Sequence, residues 1–158
     1  MIQSIKEMYG NRVRLRVCGL CQDTSRLLMI NHHGLRGGAF WAPPGGGVEF
    51  GQSVSENLVR EFQEETNLRV EVGAYLFTCE FIHPPLHAVE MFFAVRVLGG
   101  TLRAGRDPEI NSRDQIIKEA RFMTYADIDL LPPEEKHGAF QLVSGAVKIH
   151  TLNGYYKI

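Results

Sequence analysis

One stretch of this chain carries a sustained helical period. From Ser53 to Thr66 the apolar residues Val54, Leu58, Val59 and Phe62 recur at helical spacing, which gathers them on one face. Ser53 or Ser55 is a fitting N-cap. Asn67 is a fitting stop, because asparagine tolerates the left-handed conformation that closes many helices. Most of the rest reads as strand. Residues 12–21, RVRLRVCGLC, alternate, with Val13, Leu15 and Val17 on one face and Arg12, Arg14 and Arg16 on the other. That arginine row is either the wet face of a sheet or a phosphate-reading face. QDTS is a turn, and RLLMINH returns as the second strand of a hairpin. LRVEVGAYLFTCEF, AVEMFFAVRVL and IKEARFMT are further strands, and TYADIDLLPPEE is a short helix opened by Thr124. The tail from His137 to Ile158 adds a helix and a strand, AVKIHTLNGYYKI. The fold class is α/β (α+β), one domain with a mixed sheet and few helices.

Composition narrows the function. A length of 158 residues suits one domain, and a net charge of −1 steers neither nucleic acid nor anionic membrane onto it. No apolar run approaches the roughly 20 residues that span a bilayer. The opening MIQSIKEMYGNR has no apolar segment with a small-residue cleavage site, so a cytoplasmic location is expected. The cysteines are Cys18, Cys21 and Cys79, an odd count that does not make a disulfide framework. CGLC has C-x-x-C spacing without a second pair, so buried structural thiols are expected rather than zinc or redox chemistry. His32 and His33 are neighbours, which on a strand point to opposite faces.

The helix holds the chemistry. REFQEETN places Glu61, Glu64 and Glu65 on one face, with Cβ atoms about 5–6 Å apart. Like charges at that distance cost a helix roughly 0.2–0.5 kcal/mol per pair. Before them runs PPGGGVEF. Glycine lets backbone approach a ligand closely, and a carbonyl freed in such a turn is an oxygen ligand. Three carboxylates and a carbonyl suit a hard cation, Mg²⁺ or Mn²⁺. Such a cation turns the crowding into attraction.

The stretch from Gly46 to Leu68 resembles the Nudix (MutT-like) hydrolase signature, G-x5-E-x7-R-E-U-x-E-E-x-G-U, where U is bulky and apolar. Gly46, Arg60, Glu61, Phe62, Glu64, Glu65 and Leu68 stand where the pattern asks. Trp41-Ala42-Pro43 resembles the common lead-in, and ARFMTYADI the usual strand and helix near the domain's end. The resemblance covers about residues 12–132 and leaves 133–158 as an extension of a single domain, 1–158. It implies a Nudix-type α/β/α sandwich with a mixed central sheet. Two positions depart. Gln52 replaces the signature's first glutamate; it can accept a hydrogen bond from Arg60 but carries no charge. Asn67 replaces its last glycine.

The resemblance implies hydrolysis of a nucleoside diphosphate linked to another moiety. Glu61, Glu64, Glu65 and the Gly45 carbonyl are then metal ligands, and Arg60 orients the glutamates. Family members take their general base from the box or from a later loop. Glu64 is the first candidate; Asp107, Glu109, Asp114 and Glu119 are the later ones. On the substrate side stand Arg36 and His32–His33 for phosphate, Phe40, Trp41 and Tyr75 for a base, and Asp114. Glu90 either faces the site or is an outer-face charge. Pro84 lies sixteen residues beyond Leu68, an offset seen in the ADP-ribose branch, or else simply shapes a hairpin. The expected substrate is ADP-ribose or a nucleotide sugar. The alternatives are a pool-cleaning pyrophosphohydrolase of modified dNTPs, and a non-catalytic nucleotide binder. Family members are often homodimers, and the tail strand either pairs across such a dimer or folds back on its own sheet.

Overall fold

The computed structural model of the protein describes residues 3–33, 37–105, 117–144 and 148–158. A short helix, α1 (Gln3–Tyr9), opens the chain. It spans two turns, too few for a period to show in sequence. Then come β1 (Arg12–Asp23), β2 (Arg26–His32), β3 (Trp41–Ala42), β4 (Gly45–Gly47), α2 (Val54–Thr66), β5 (Leu68–His83), β6 (Leu86–Gly100), β7 (Ile117–Thr124) and α3 (Tyr125–Leu130). The tail makes single 3₁₀ turns at Pro133–Glu135, Gly138–Gln141 and Ile149–Thr151, and ends in β8 (Gly154–Lys157). The helix expected in the tail does not form among the described residues. Gly138 stands at the start of that stretch, where glycine disfavours a helix.

The strands join in the order β3-β2-β1-β6-β5-β8, with β4 also on β1 and β7 on β2. The sheet is mixed. β1 runs parallel to β6 from Arg12↔Leu86 to Cys21↔Val95, while β5 and β6 form a long antiparallel hairpin. β8 lies parallel to β5, from Phe77↔Gly154 to Glu80↔Lys157, so the tail strand folds back on its own sheet.

Each face of the sheet is covered. On one, Leu58 and Phe62 of α2 pack against Val17, Val70 and Phe93. On the other, Ile128 of α3 and the tail's Phe140 and Ile149 pack against Cys18, Leu20 and Phe92. Phe77 and Phe92 stack there with ring centroids 4.4 Å apart. The tail is therefore part of the core. Burying one such large side chain is worth about 1.5–3 kcal/mol. Cys18 and Cys21, three apart on a strand, point into opposite layers, and all three thiols are free and buried.

The alternation of β1 does not sort into a dry face and a wet face. Val17 is buried against α2, but Val13 (63%) and Leu15 (44%) on the same face stay exposed. The arginine side fares differently. Arg14 lies 3.8 Å over the Tyr9 ring, and the Arg16 side chain is only 25% exposed. No helix among the described residues is long and apolar enough to cross a membrane.

Candidate active site

The helix α2 is pinned at both ends. The Ser53 hydroxyl accepts from Glu56 N–H, and the Glu56 carboxylate accepts from Ser53 N–H at 2.8 Å, a full capping box. Asn67 closes the helix in the left-handed region, φ 59°. Its last carbonyls are met from the loop after β6. Gly105 N–H donates to Glu65 O (2.8 Å) and Arg103 N–H to Thr66 O (3.0 Å).

This fixed helix aims its glutamates at β4. Gly19 N–H donates to Pro44 O and Val48 N–H to Leu15 O, both at 2.9 Å. Residues 44 and 48 thus face β1, and by the two-residue period Gly45 turns its N–H and C=O the other way. There Gly45 N–H donates to Glu65 Oε2 (2.9 Å), so the Gly45 carbonyl shares an edge with a buried carboxylate. The glycines are required by close approach. A Cβ on Gly45 would stand 2.1 Å from Val17 O, and one on Gly46 would stand 2.2 Å from Glu61 Oε1.

Arg60 stands among the acids. Its terminal nitrogens donate to Glu64 Oε2 and Glu61 Oε1, each at 2.9 Å, and to Asn57 Oδ1 at 3.2 Å. Burial works against its charge, but Glu61 and Glu64 hold its pKa above the usual arginine value. Its Nε is buried with no hydrogen-bond partner among the described residues. Burial pushes Glu61 up to about 7 despite the attraction of Arg60. One guanidinium therefore does not offset that burial.

The expected bond from Arg60 to Gln52 is absent. Gln52 is exposed, and its amide donates to Glu49 Oε2 (3.3 Å). Glu49 itself comes within 3.4 Å of Arg60 and supplies the charge that Gln52 lacks. A neutral amide exerts no such pull on a guanidinium.

Asn57, absent from the sequence reading, ties these parts together. It is fully buried. Its Nδ2 donates to Ser53 O, and its Oδ1 accepts from Glu49 N–H (2.9 Å) as well as from Arg60. The signal was a polar residue three positions after Val54, on the helix's apolar face. Asn57→Ala leaves the Glu49 N–H unmet, and we expect a loss of about 1–3 kcal/mol in urea unfolding.

The carboxylates fan around Arg60 rather than converging. Among the described residues no group of three His, Cys, Asp or Glu side chains is arranged as a metal cage. The donor chemistry nevertheless fits a hard divalent cation. Every donor is oxygen, and a cation would offset the burial that disfavours the ionised form of Glu61. Glutamate's long side chain lets Glu61 and Glu64 turn from Arg60 to a stronger cation.

The other named residues separate. Phe40 is buried, and its carbonyl accepts from His32 N–H (2.8 Å). Trp41 lies in the core beneath Arg121, while Tyr75 is 48% exposed. Glu90 is neither a free site carboxylate nor an outer-face charge. Its register opposite Arg16 buries it at 6% exposure, bonded to Arg16 and to His137. His137 lies in the tail and carried no signal in sequence. Glu119 makes a surface ion pair with Arg121 (3.3 Å). Arg36, Asp107, Glu109 and Asp114 lie outside the described residues.

Comparison with known proteins identifies the family. The family model described as NUDIX domain matches residues 10–144. The chain is 33% identical over 118 residues to an ADP-ribose pyrophosphatase of Methanocaldococcus jannaschii, covering 73% of this chain and 63% of that protein. It is 34% identical over 86 residues to an m7GpppN-mRNA hydrolase of Xenopus laevis, covering 51% of this chain and 29% of that protein. The chain thus spans less than two thirds of either relative. Among solved structures, a MutT Nudix hydrolase from Burkholderia pseudomallei superposes with a TM-score of 0.66 at 20% identity, covering 83% of this chain and 95% of that one. An ADP-ribose pyrophosphatase from Streptococcus suis gives 0.60 at 18% identity, covering 90% and 98%. At these identities the likeness is one of fold. With the signature residues on α2 and β4 and the family model matching across both layers, the chain belongs to the Nudix (MutT-like) hydrolase family.

Proposed function

We propose that this site hydrolyses the pyrophosphate link of a nucleoside diphosphate joined to another moiety, with ADP-ribose or a nucleotide sugar preferred. The observation that carries the reading is the fan of Glu61, Glu64 and Glu65 set against the Gly45 edge with Arg60 inside it. The relative named an ADP-ribose pyrophosphatase supports the substrate class. These three carboxylates and the Gly45 carbonyl would hold Mg²⁺ or Mn²⁺, which would supply charge neutralisation of the pyrophosphate and a more acidic water.

The chain's own residues do the rest. Glu65, fixed by Gly45 N–H, is the anchored carboxylate. The Glu64 side chain is 27% exposed against 13% for Glu61, so it is the one open to water and takes its proton. Arg60 orients Glu64 through its 2.9 Å hydrogen bond. The water oxygen bonds to one phosphorus, the bridging P–O bond breaks, and two monophosphates leave. A second reading of the same site is release of pyrophosphate from a dNTP.

Product chromatography separates them. The protein is incubated with Mg²⁺ or Mn²⁺ and ADP-ribose, nucleotide sugars, dinucleoside polyphosphates or dNTPs, oxidised ones included. AMP and ribose 5-phosphate from ADP-ribose are expected. Turnover confined to triphosphates would replace the first reading with the second.

A further inference from the structure

The layer beneath the tail holds buried charge that the metal centre does not use. Arg16 on β1 donates from Nε to Glu90 Oε1 on β6 (2.8 Å), and Glu90 Oε2 meets His137 Nε2 (2.6 Å). Glu90 and His137 are 6% and 7% exposed. His137 is itself fixed. Its backbone N–H donates to Trp41 O (2.9 Å), and its Nδ1 accepts from Ala139 N–H (3.2 Å). With Nδ1 accepting, Nε2 carries hydrogen and donates to Glu90.

A buried ion pair is a poor way to stabilise a sheet, because desolvation offsets much of the attraction. It is a good way to hold a guanidinium still. Glu90 occupies only Nε. The terminal nitrogens of Arg16 bond no other described residue, and 25% of the side chain is open. The residue also lies beside the metal centre. Arg16 pairs with Gly47 on β4, two residues from the Gly45–Glu65 contact, and its charge is felt by Glu61 and Glu65. His32 shares this neighbourhood. Burial and the charge of Arg16 keep it neutral, so it offers a hydrogen bond rather than a second charge.

We propose that Arg16 is the anion-binding arm of the site, its two terminal nitrogens clamping a phosphate of the substrate while Glu90 and His137 hold it in position. This rests on the reading of the site as one for a nucleoside diphosphate derivative. The planar fork matches two phosphate oxygens at once, which a lysine ammonium cannot do. A diphosphate also carries more charged oxygens than the metal side alone faces. The tail thereby enters the site, because His137 is what braces Glu90.

Calorimetry on the full chain tests this with Mg²⁺ plus inorganic pyrophosphate and Mg²⁺ plus ADP. The proteins are wild type, Arg16→Lys, Arg16→Gln, Glu90→Gln and the Arg16→Gln/Glu90→Gln double variant. Melting temperatures are taken alongside, and kinetics on whichever substrate wild type turns over. Both Arg16 variants should weaken the two ligands about 10- to 100-fold and raise KM by a similar factor, with kcat changing less. Mg²⁺ alone should bind no more weakly to either variant, since Arg16→Lys keeps the positive charge nearby and Arg16→Gln removes it. Glu90→Gln should weaken the ligands less, and adding it to Arg16→Gln should cost nothing further. Should Arg16→Gln fail to fold, Arg16→Lys decides, because it keeps the charge and loses the fork. Wild-type affinity and KM in Arg16→Lys overturn the inference alone. A wild type that neither binds nor cleaves any phosphate anhydride overturns it together with the proposed function.

Discussion

Glu64→Gln and Glu65→Gln should each lower hydrolysis by about 100-fold or more while the protein stays folded. The two sites differ, which makes the shared outcome informative. Glu65 is 6% exposed and accepts from Gly45 N–H. Glutamine keeps a carbonyl that accepts the same bond, so the α2–β4 junction survives and only the charge is lost. Glu64 is more open, and its structural partner is Arg60 at 2.9 Å. Losing a half-exposed ion pair costs roughly 1 kcal/mol or less. Loss of turnover with melting temperatures near wild type identifies both as site residues. Turnover that survives both changes means the site has been misplaced.

Stability of the metal-free protein should fall as pH rises from about 4.5 to about 7, and Mg²⁺ should reverse that trend. Burial raises Glu61 from an ordinary 4.5 to about 7. In that window the folded chain keeps a proton that the unfolded chain has released. The folded state then binds more protons, and stability declines with pH. The shift corresponds to at most about 3 kcal/mol. The side chain is 13% exposed, so solvent screens little of it. A cation requires the ionised carboxylate, so the stabilisation given by saturating Mg²⁺ should grow from pH 5 to pH 8. Urea unfolding across that range with and without Mg²⁺ measures it. Glu61→Gln should flatten both dependences. A Mg²⁺ effect of equal size at every pH in wild type would separate Glu61 from the metal.

What could be read from sequence was local. The period of α2, the Ser53 cap, the left-handed Asn67 and the glutamate spacing each depend on residues within a turn or two of one another. What could not be read depends on partners distant in the chain. Glu90 has its role because β1 and β6 pair in a register that puts Arg16 opposite it, and because His137 arrives from 47 residues later. The substitution at Gln52 looked like a lost charge until the turn brought Glu49 beside Arg60. Val13 and Leu15 alternate as core residues should, yet both stay exposed. The helix expected in the tail gives way to 3₁₀ turns, which nonetheless place Phe140 and Ile149 in the core.

The central claim is that the carboxylates of α2 bind a divalent cation together with a diphosphate. Paramagnetic resonance of Mn²⁺ reads this directly, since the free-ion signal vanishes on binding. Wild type should bind Mn²⁺, more tightly with ADP present, and Glu64→Gln and Glu65→Gln should leave most of the ion free. Equal Mn²⁺ binding by all three proteins, or none by wild type even with ADP, would contradict the account.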